Sequence, residues 1–579
     1  MSDARLCTCH VPPRPLREHP DAAVVAVRRL VAALLFVVLG AYVVPASAAT
    51  PTYYGNIIHP TQWQTYHVAD YGACAPGATV AQQNAAVQAA VTAASARANG
   101  FLGSKVLLTD GCAPNINATI LVNPPYGNVL IDGGGGYLQV DAALVGDVFR
   151  VPYTSLGKDI EIVNLNITAR GATRSSGAIF NFQNCDSCTV RDISWQGATW
   201  WDFLDVGYDV GGNTGSVNRT LVDNARNAGA GFAGCGVRVN GGLGNFSLTN
   251  SPMSGTGIGG TSVAVCASDA PLVHATNWDS WQFINDDFEN TGSGLLFSVG
   301  AISNSVINNI WLTNVTCGGA QTGPCVSFVT TSATARAENL FISTPWFYES
   351  STTQNVVQVS AFTGSTLDTV RISGGGFLAG GLNGLSVGSN VGNVSLNHVA
   401  VSQATNCGIS DGGYYTSISA SPIGPVRNNG VVYPANKYGI CELAPAVGAN
   451  YFGNNLTGNT TNAFTSASGA AGGSVLDNDM SGYATPTVIS AGSSHVLIAN
   501  NPGYNPVGAM TALTVGASPY TYTNTTAINQ TIYVSGGTVS AISAGGVVTG
   551  LTSGTFSVPP GKTLVITHTG APSATVSGN

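Results

Sequence analysis

The sequence predicts an all-β solenoid, a chain wound into stacked coils whose strands run parallel. Three observations predict it. Short β-branched runs alternate with Gly, Asn and Ser from about residue 101 to 505, with no convincing helix among them. Apolar positions recur at a fixed interval. Charge is scarce, at 8 % of 579 residues.

The interval can be read directly. Phe283, Leu312, Ile342 and Ile372 open equivalent segments 29, 30 and 30 residues apart. Five residues after each stands Phe288, Cys317, Phe347 or Phe377. In the next run, "NVSLNHVAV", Leu396 follows Ile372 by 24 residues and Val401 follows five further on. Long repeats of short strands with Asn and Gly turns describe coils that stack at about 4.8 Å, each pairing with the open edge of the one before. Like residues then lie directly above one another. Stacked charges repel, whereas Asn, Ser and Thr hydrogen-bond up the pile, which accounts for the scarcity of charge.

In chain order, residues 1–48 read as a secretion leader. Within it "RRLVAALLFVVLGAYVVPASA", 28–48, places two arginines before an apolar run and ends in a small-residue cleavage site. The competing reading is a membrane anchor, but the unbroken run falls short of the ~20 residues a bilayer requires. Residues 49–100 form an N-terminal cap. Its helix is "TVAQQNAAVQAAVTAASARANG", 79–100, with Val80, Val87 and Val91 near one face and a stop at Gly100. The β-helix occupies 101–505. From 506 to 579 polar and apolar residues alternate, with turns at Gly536-Gly537 and Pro559-Pro560-Gly561. The segment resembles the small β-sandwich tail that follows β-helices in phage and bacterial surface proteins, which would cap the solenoid edge or bind carbohydrate. Capping the last coil is the simplest role for it, since an uncovered edge invites aggregation.

Beyond the leader's Cys7 and Cys9, ten cysteines remain, an even number for an exported chain. Sequence neighbours pair as Cys74–Cys112, Cys235–Cys266, Cys317–Cys325 and Cys407–Cys441, leaving Cys185–Cys188 as a local pair. Zinc at that lone C-x-x-C is disfavoured, as no histidine stands near it. His274, His398 and His495 are isolated in sequence, so no metal site is expected. Only four lysines occur and there is no basic patch, which argues against nucleic acid. A net charge of −8 argues against anionic lipid.

The stretch "VADYGACAPGATVAQQNAAVQAAVTAA", followed by "VLLTDG" and "NVLIDGGGG", resembles the entry of the pectate-lyase-like superfamily. The resemblance covers the capping helix and first coils; "STPWFYESSTTQNVVQV" is similar to tailspike coils in pattern only. It implies a right-handed parallel β-helix and action on polysaccharides, with polygalacturonases, pectate lyases and phage tailspikes as relatives. It also implies possible homotrimers, as in tailspikes. Of the polygalacturonase motifs, Asp286-Asp287 is present, while Gly-His-Gly is missing and "VRISGG" at 370–375 lacks the lysine.

The acids of "FINDDFENTGSG", 283–294, are where chemistry is expected. With Phe288 in the core, strand alternation turns Asp287 and Glu289 outward, their Cα atoms about 6.7 Å apart. That suits the roughly 6.5–9.5 Å carboxylate spacing of inverting glycosidases. Trp346 and Tyr348 occupy the equivalent outward positions two coils on. "WWDFLDVGYD" adds Asp202, Asp205 and Asp209 to the tryptophan-rich part of the chain. The expected site is a groove with Asp287 and Glu289 as acid and base, Asp202 or Asp205 assisting, and Trp200, Trp201, Trp281, Trp346 and Tyr348 stacking on sugars. No cofactor is needed for a hydrolase. A lyase would add calcium and an arginine base, for which Arg191, Arg219, Arg226 and Arg238 are candidates. The other function class is a non-catalytic, spike-like surface protein that only binds glycans.

Overall fold

The structure, a computed structural model, describes residues 63–579 apart from 99–102, 110, 125–126, 155, 172–173, 211–212, 229–230, 255–261, 290, 321, 429, 484, 491, 505–509, 526–528, 560 and 579. The expected leader at 1–48 with Cys7 and Cys9, and the expected boundary at 506, lie outside the described residues. Among those described, no helix is long and apolar enough to cross a membrane.

The chain forms a parallel β-helix. Its strands stack into a long sheet of 19 strands, a second sheet of 14 and a short sheet of 6. One coil shows the plan: Asn277–Ile284 lies in the long sheet, Asp287–Glu289 in the short sheet and Ser293–Val299 in the second. Leu248, Phe283, Leu312, Ile342, Ile372, Leu396 and Ile418 pair coil to coil and are buried, as the period predicts. Alternation sends their neighbours outward.

The second interior row differs from expectation at one coil. It runs Met253, Phe288, Cys317, Phe347, Leu378 and Val401. Phe377 is not in it and instead pairs with Trp346 on the outer face. The cause lies at the corner between the long and short sheets. In three successive coils Asn250, Asn285 and Asn314 turn this corner with φ of 51°, 56° and 52°. Each of the later two donates its side-chain amide to the asparagine below, at 3.1 and 3.0 Å. Asn accepts this left-handed backbone more readily than most residues because its short polar side chain bonds locally. Two coils later Gly374 and Gly375 both take positive φ, adding one residue to the corner. A one-residue shift exchanges inside for outside.

The helix is Val80–Arg97, started by a capping box in which Thr79 and Gln82 exchange hydrogen bonds. Val87 and Val91 are buried with Ala86, Ala90 and Ala94. Its polar residues close the edge of the first coils. Gln83 accepts from Asn115 N at 2.7 Å, Asn84 from Asn117 N and Ala118 N, and Gln88 both accepts from and donates to the Leu121 backbone.

The C-terminal unit consists of two four-stranded antiparallel sheets. Ile532, Val534, Ile542, Phe556, Val558, Leu564 and Ile566 form its separate core. Gly536 and Gly537, both at φ 67°, carry the chain from Gln530–Ser535 in one sheet to Thr538–Ala544 in the other. All five expected cysteine pairs lie at disulfide distance, with Cα separations of 5.7 to 6.1 Å.

Candidate functional site

The outer face of the short sheet carries two rows. Asp287, Thr316, Trp346 and Phe377 make one; Glu289, Gly318, Tyr348 and Ala379 make the other. Asp287 and Glu289 therefore flank the inward Phe288, with Trp346 and Tyr348 two coils along in the same rows. Phe377, 2 % exposed although it faces outward, is enclosed by the Trp346 ring at 5.4 Å and the Tyr433 ring at 4.5 Å. Trp346, Tyr348 and Tyr433 stay half-buried, so part of each ring faces solvent.

The three acids of "FINDDFENTGSG" have different surroundings. Asp286 is buried, accepts from Ser251 N at 3.0 Å, and is pushed well above the usual carboxylate range by burial. It secures the corner rather than facing a ligand. Asp287 is half-buried, and burial, reinforced by the Glu289 charge, raises it to about 6. Its Oδ1 is shielded from solvent and accepts no hydrogen bond. Glu289 is exposed. Beside it Gly318 leaves the floor open, for even a Cβ there would lie 3.6 Å from the Glu289 Cγ.

Asp202 and Asp205 are elsewhere, which corrects the single groove expected from the sequence. Their strand Asp202–Val206 lies in the second sheet. From Asp205 the register passes through Arg238 and Cys266 to Leu296, in the coil of Glu289, three steps or about 14 Å along the stack. Asp202 is buried and accepts from Arg238 Nε at 2.8 Å and Nη2 at 3.0 Å, as well as from Cys235 N. Asp205 is pushed well up, by burial first and then by the Asp202 charge, against the pull of Arg238. The half-buried Trp201 lies beside this cluster, and a Cβ on Gly234 would fall 2.4 Å from Asp202 Oδ1 and 3.0 Å from Trp201 Cε2. Trp201 thus belongs with Asp202, away from Asp287.

Trp200 and Trp281 are corrected more sharply. Both are fully buried in the coil interior. Arg174 covers Trp200 at 4.5 Å, and Trp281 donates Nε1 to Leu243 O at 3.1 Å. No sugar reaches their faces. Trp281→Ala is expected to cost about 3–5 kcal/mol in chemical denaturation, because it empties a core position. Trp346→Ala, on the outer face, is expected to cost under about 1.5 kcal/mol; comparable losses in the two variants would contradict this placement.

Three of the four arginines named for a lyase are engaged with other acids: Arg219 with Asp186 at 2.5 Å, Arg238 with Asp202, and Arg191 with Asp192 at 3.6 Å. Two of the three histidines that look isolated in sequence have partners across coils, while His398 contacts its neighbour Asn397. His274 Nδ1 lies 2.6 Å from Asp209, and His495 Nε2 lies 2.8 Å from Glu442. Among the described residues no group of His, Cys, Asp and Glu is arranged to hold a metal ion. Sequence reasoning missed Phe377 and Tyr433. Tyr433 stands in the antiparallel pair Val426–Asn428 and Val431–Tyr433, for which the sequence "RNNG" was the available signal.

No family model matches the chain, and no curated protein does. Among solved structures, it is similar to a tailspike protein of E. coli bacteriophage HK620, a double mutant, at 13 % identity and a TM-score of 0.45 over 89 % of this chain and 93 % of that one. A second form of that tailspike, solved with a pentasaccharide, gives 13 %, 0.44, 89 % and 94 %. The A-module of a mannuronan C-5 epimerase from Azotobacter vinelandii gives 13 % identity and a TM-score of 0.35 over 76 % of this chain and 98 % of that one.

Proposed function

We propose that this chain is a secreted glycan-cleaving hydrolase that works in the groove of the short sheet. One observation carries the reading. Two carboxyl groups stand outward on a single strand, one raised to about 6 and half-buried, the other exposed, in line with the aromatic rings of Trp346 and Tyr348. A glycosidic bond needs a proton delivered to the leaving oxygen and a second carboxylate to activate water or stabilise the sugar cation. Asp287, which holds its proton up to about pH 6, is the acid. Glu289 is the base or nucleophile. The flat rings hold the pyranose faces.

Hydrolysis by such a pair uses no metal, and its parts come from one chain, so the reading requires neither calcium nor a trimer. Export is supported by the leader-like segment 28–48 and by five cysteine pairs at disulfide distance, the usage of an oxidising compartment. The aromatic faces alone would also serve a protein that binds glycan without cutting it.

The discriminating assay is a panel of neutral and acidic polysaccharides, followed by reducing-end release and by absorbance of unsaturated uronates. Reducing ends without unsaturated product are expected. Unsaturated product would mean elimination, and binding without either would leave recognition only.

A further inference from the structure

We infer, building on the groove reading above, that the hairpin 426–433 is a distal subsite: Tyr433 and Trp346 stack on sugar units remote from the cleaved bond, and Phe377 positions both rings. The ligand is therefore an oligomeric glycan, not a mono- or disaccharide.

The argument begins with the burial of Phe377. An outward phenylalanine on a solenoid face would normally be exposed, yet this one is 2 % exposed because Trp346 and Tyr433 close over it at 5.4 and 4.5 Å. The three rings form one continuous cluster outside the core. The extra residue at the Gly374-Gly375 corner is what places Phe377 there.

The hairpin is held at its stem. Gln403 N donates to Pro434 O at 3.0 Å, Ala404 N donates to Asn436 Oδ1 at 2.9 Å, and Asn436 Nδ2 donates to Val401 O at 3.1 Å. Beyond the stem, its strands pair only with each other among the described residues. Two strands alone are marginally stable in water, so the packing of Tyr433 on Phe377 is what fixes the hairpin against the short sheet. Val431 shares the Tyr433 face by alternation and is 54 % exposed. An aromatic ring with an exposed valine beside it offers an apolar surface to a sugar face and excludes water from it.

Distance sets the ligand class. From Asp287 the row passes Thr316 and Trp346 before reaching Phe377, three coil steps or about 14 Å. A glycan spanning that interval has several units, so the hairpin contributes to binding long chains and nothing to short ones.

The test reads binding rather than turnover, so it stands apart from the catalytic assignment. Wild type, Tyr433→Ala, Tyr433→Phe and Phe377→Leu are passed over an array of neutral and acidic oligosaccharides of graded length. Tyr433→Ala is expected to bind the long members at least tenfold more weakly while its affinity for the shortest retained members stays unchanged. Tyr433→Phe restores the binding, and Phe377→Leu falls between, with melting temperatures close to wild type. Equal binding by Tyr433→Ala and wild type overturns the proposal, as does a loss independent of length or the failure of wild type to retain any member. Turnover by Asp287→Asn, measured separately, tests the acid alone.

Discussion

Asp287→Asn is expected to lower kcat/KM by about 10²–10⁴ on any polysaccharide the protein cleaves, the usual contribution of a positioned general acid. The amide keeps the shape of the carboxyl and delivers no proton. The pH profile gives a second handle. Asp287 is raised to about 6 by burial and the Glu289 charge, so its proton is present below that pH and lost above it. Turnover by wild type should therefore fall as the pH rises through about 6, and that limb should vanish in the variant. Folding should not suffer. Burial that raises a carboxyl disfavours its charged form, so removing the charge leaves the native state at least as stable at pH 8. Wild-type turnover in Asp287→Asn, or an equal fall in melting temperature and rate, would remove the acid from this position.

The second large effect is expected in the late coils. Glu442 and His495 are buried, 2.8 Å apart, and Glu442 also accepts from Ser466 Oγ at 2.6 Å. His495→Leu strips a buried carboxyl of its main partner and is expected to cost about 3–5 kcal/mol in urea unfolding. Restoring packing by the double change Glu442→Leu with His495→Leu should recover much of that loss, since it is the unpartnered charge that is costly. Additive losses would contradict this account.

The neighbouring Asp411 adds a pH dependence. It accepts from Gly413 N, Thr416 Oγ1 and Tyr451 OH, yet burial and the Glu442 charge still hold it up at about 6. Its folded value lies above the ordinary 3.8, so the native state keeps a proton that the unfolded chain has released. Its contribution to stability is therefore complete below about pH 4 and declines as the pH rises to about 6. Glu349, raised by burial to about 8, extends the decline in the same direction. Thermal melts at pH 5, 6.5 and 8 should show falling midpoints, and Asp411→Asn with Glu349→Gln should flatten the trend. Midpoints that rise across this range would refute it.

The coil register was legible because a buried row repeats near 30 residues and has only one solution that keeps Phe283, Leu312, Ile342 and Ile372 inside. It failed at Phe377 because a run of three glycines absorbs an extra residue without leaving a trace in hydrophobicity. Alternation was also enough to place Trp281. It is two residues before the inward Phe283 and so faces inward, and clustering tryptophans by sequence position overrode that signal. Trp346 follows the same rule outward. Asp202 and Asp205 could not be placed relative to Asp287 from composition, because the second and short sheets share the same short-strand grammar. The partners of His274 and His495 stand 65 and 53 residues away, in other coils, and no local motif announces such a pair.

Part of one end of the stack is sealed by amide side chains. The backbone N–H groups of Asn115, Asn117, Ala118 and Leu121 would otherwise form a bare ladder, and Gln83, Asn84 and Gln88 satisfy all four. A ladder satisfied from within its own chain cannot template a stranger. Strand addition is thus blocked over residues 115–121, whereas Trp63–His67, which among the described strands pairs only with Gly103–Leu107, is not covered by these three residues.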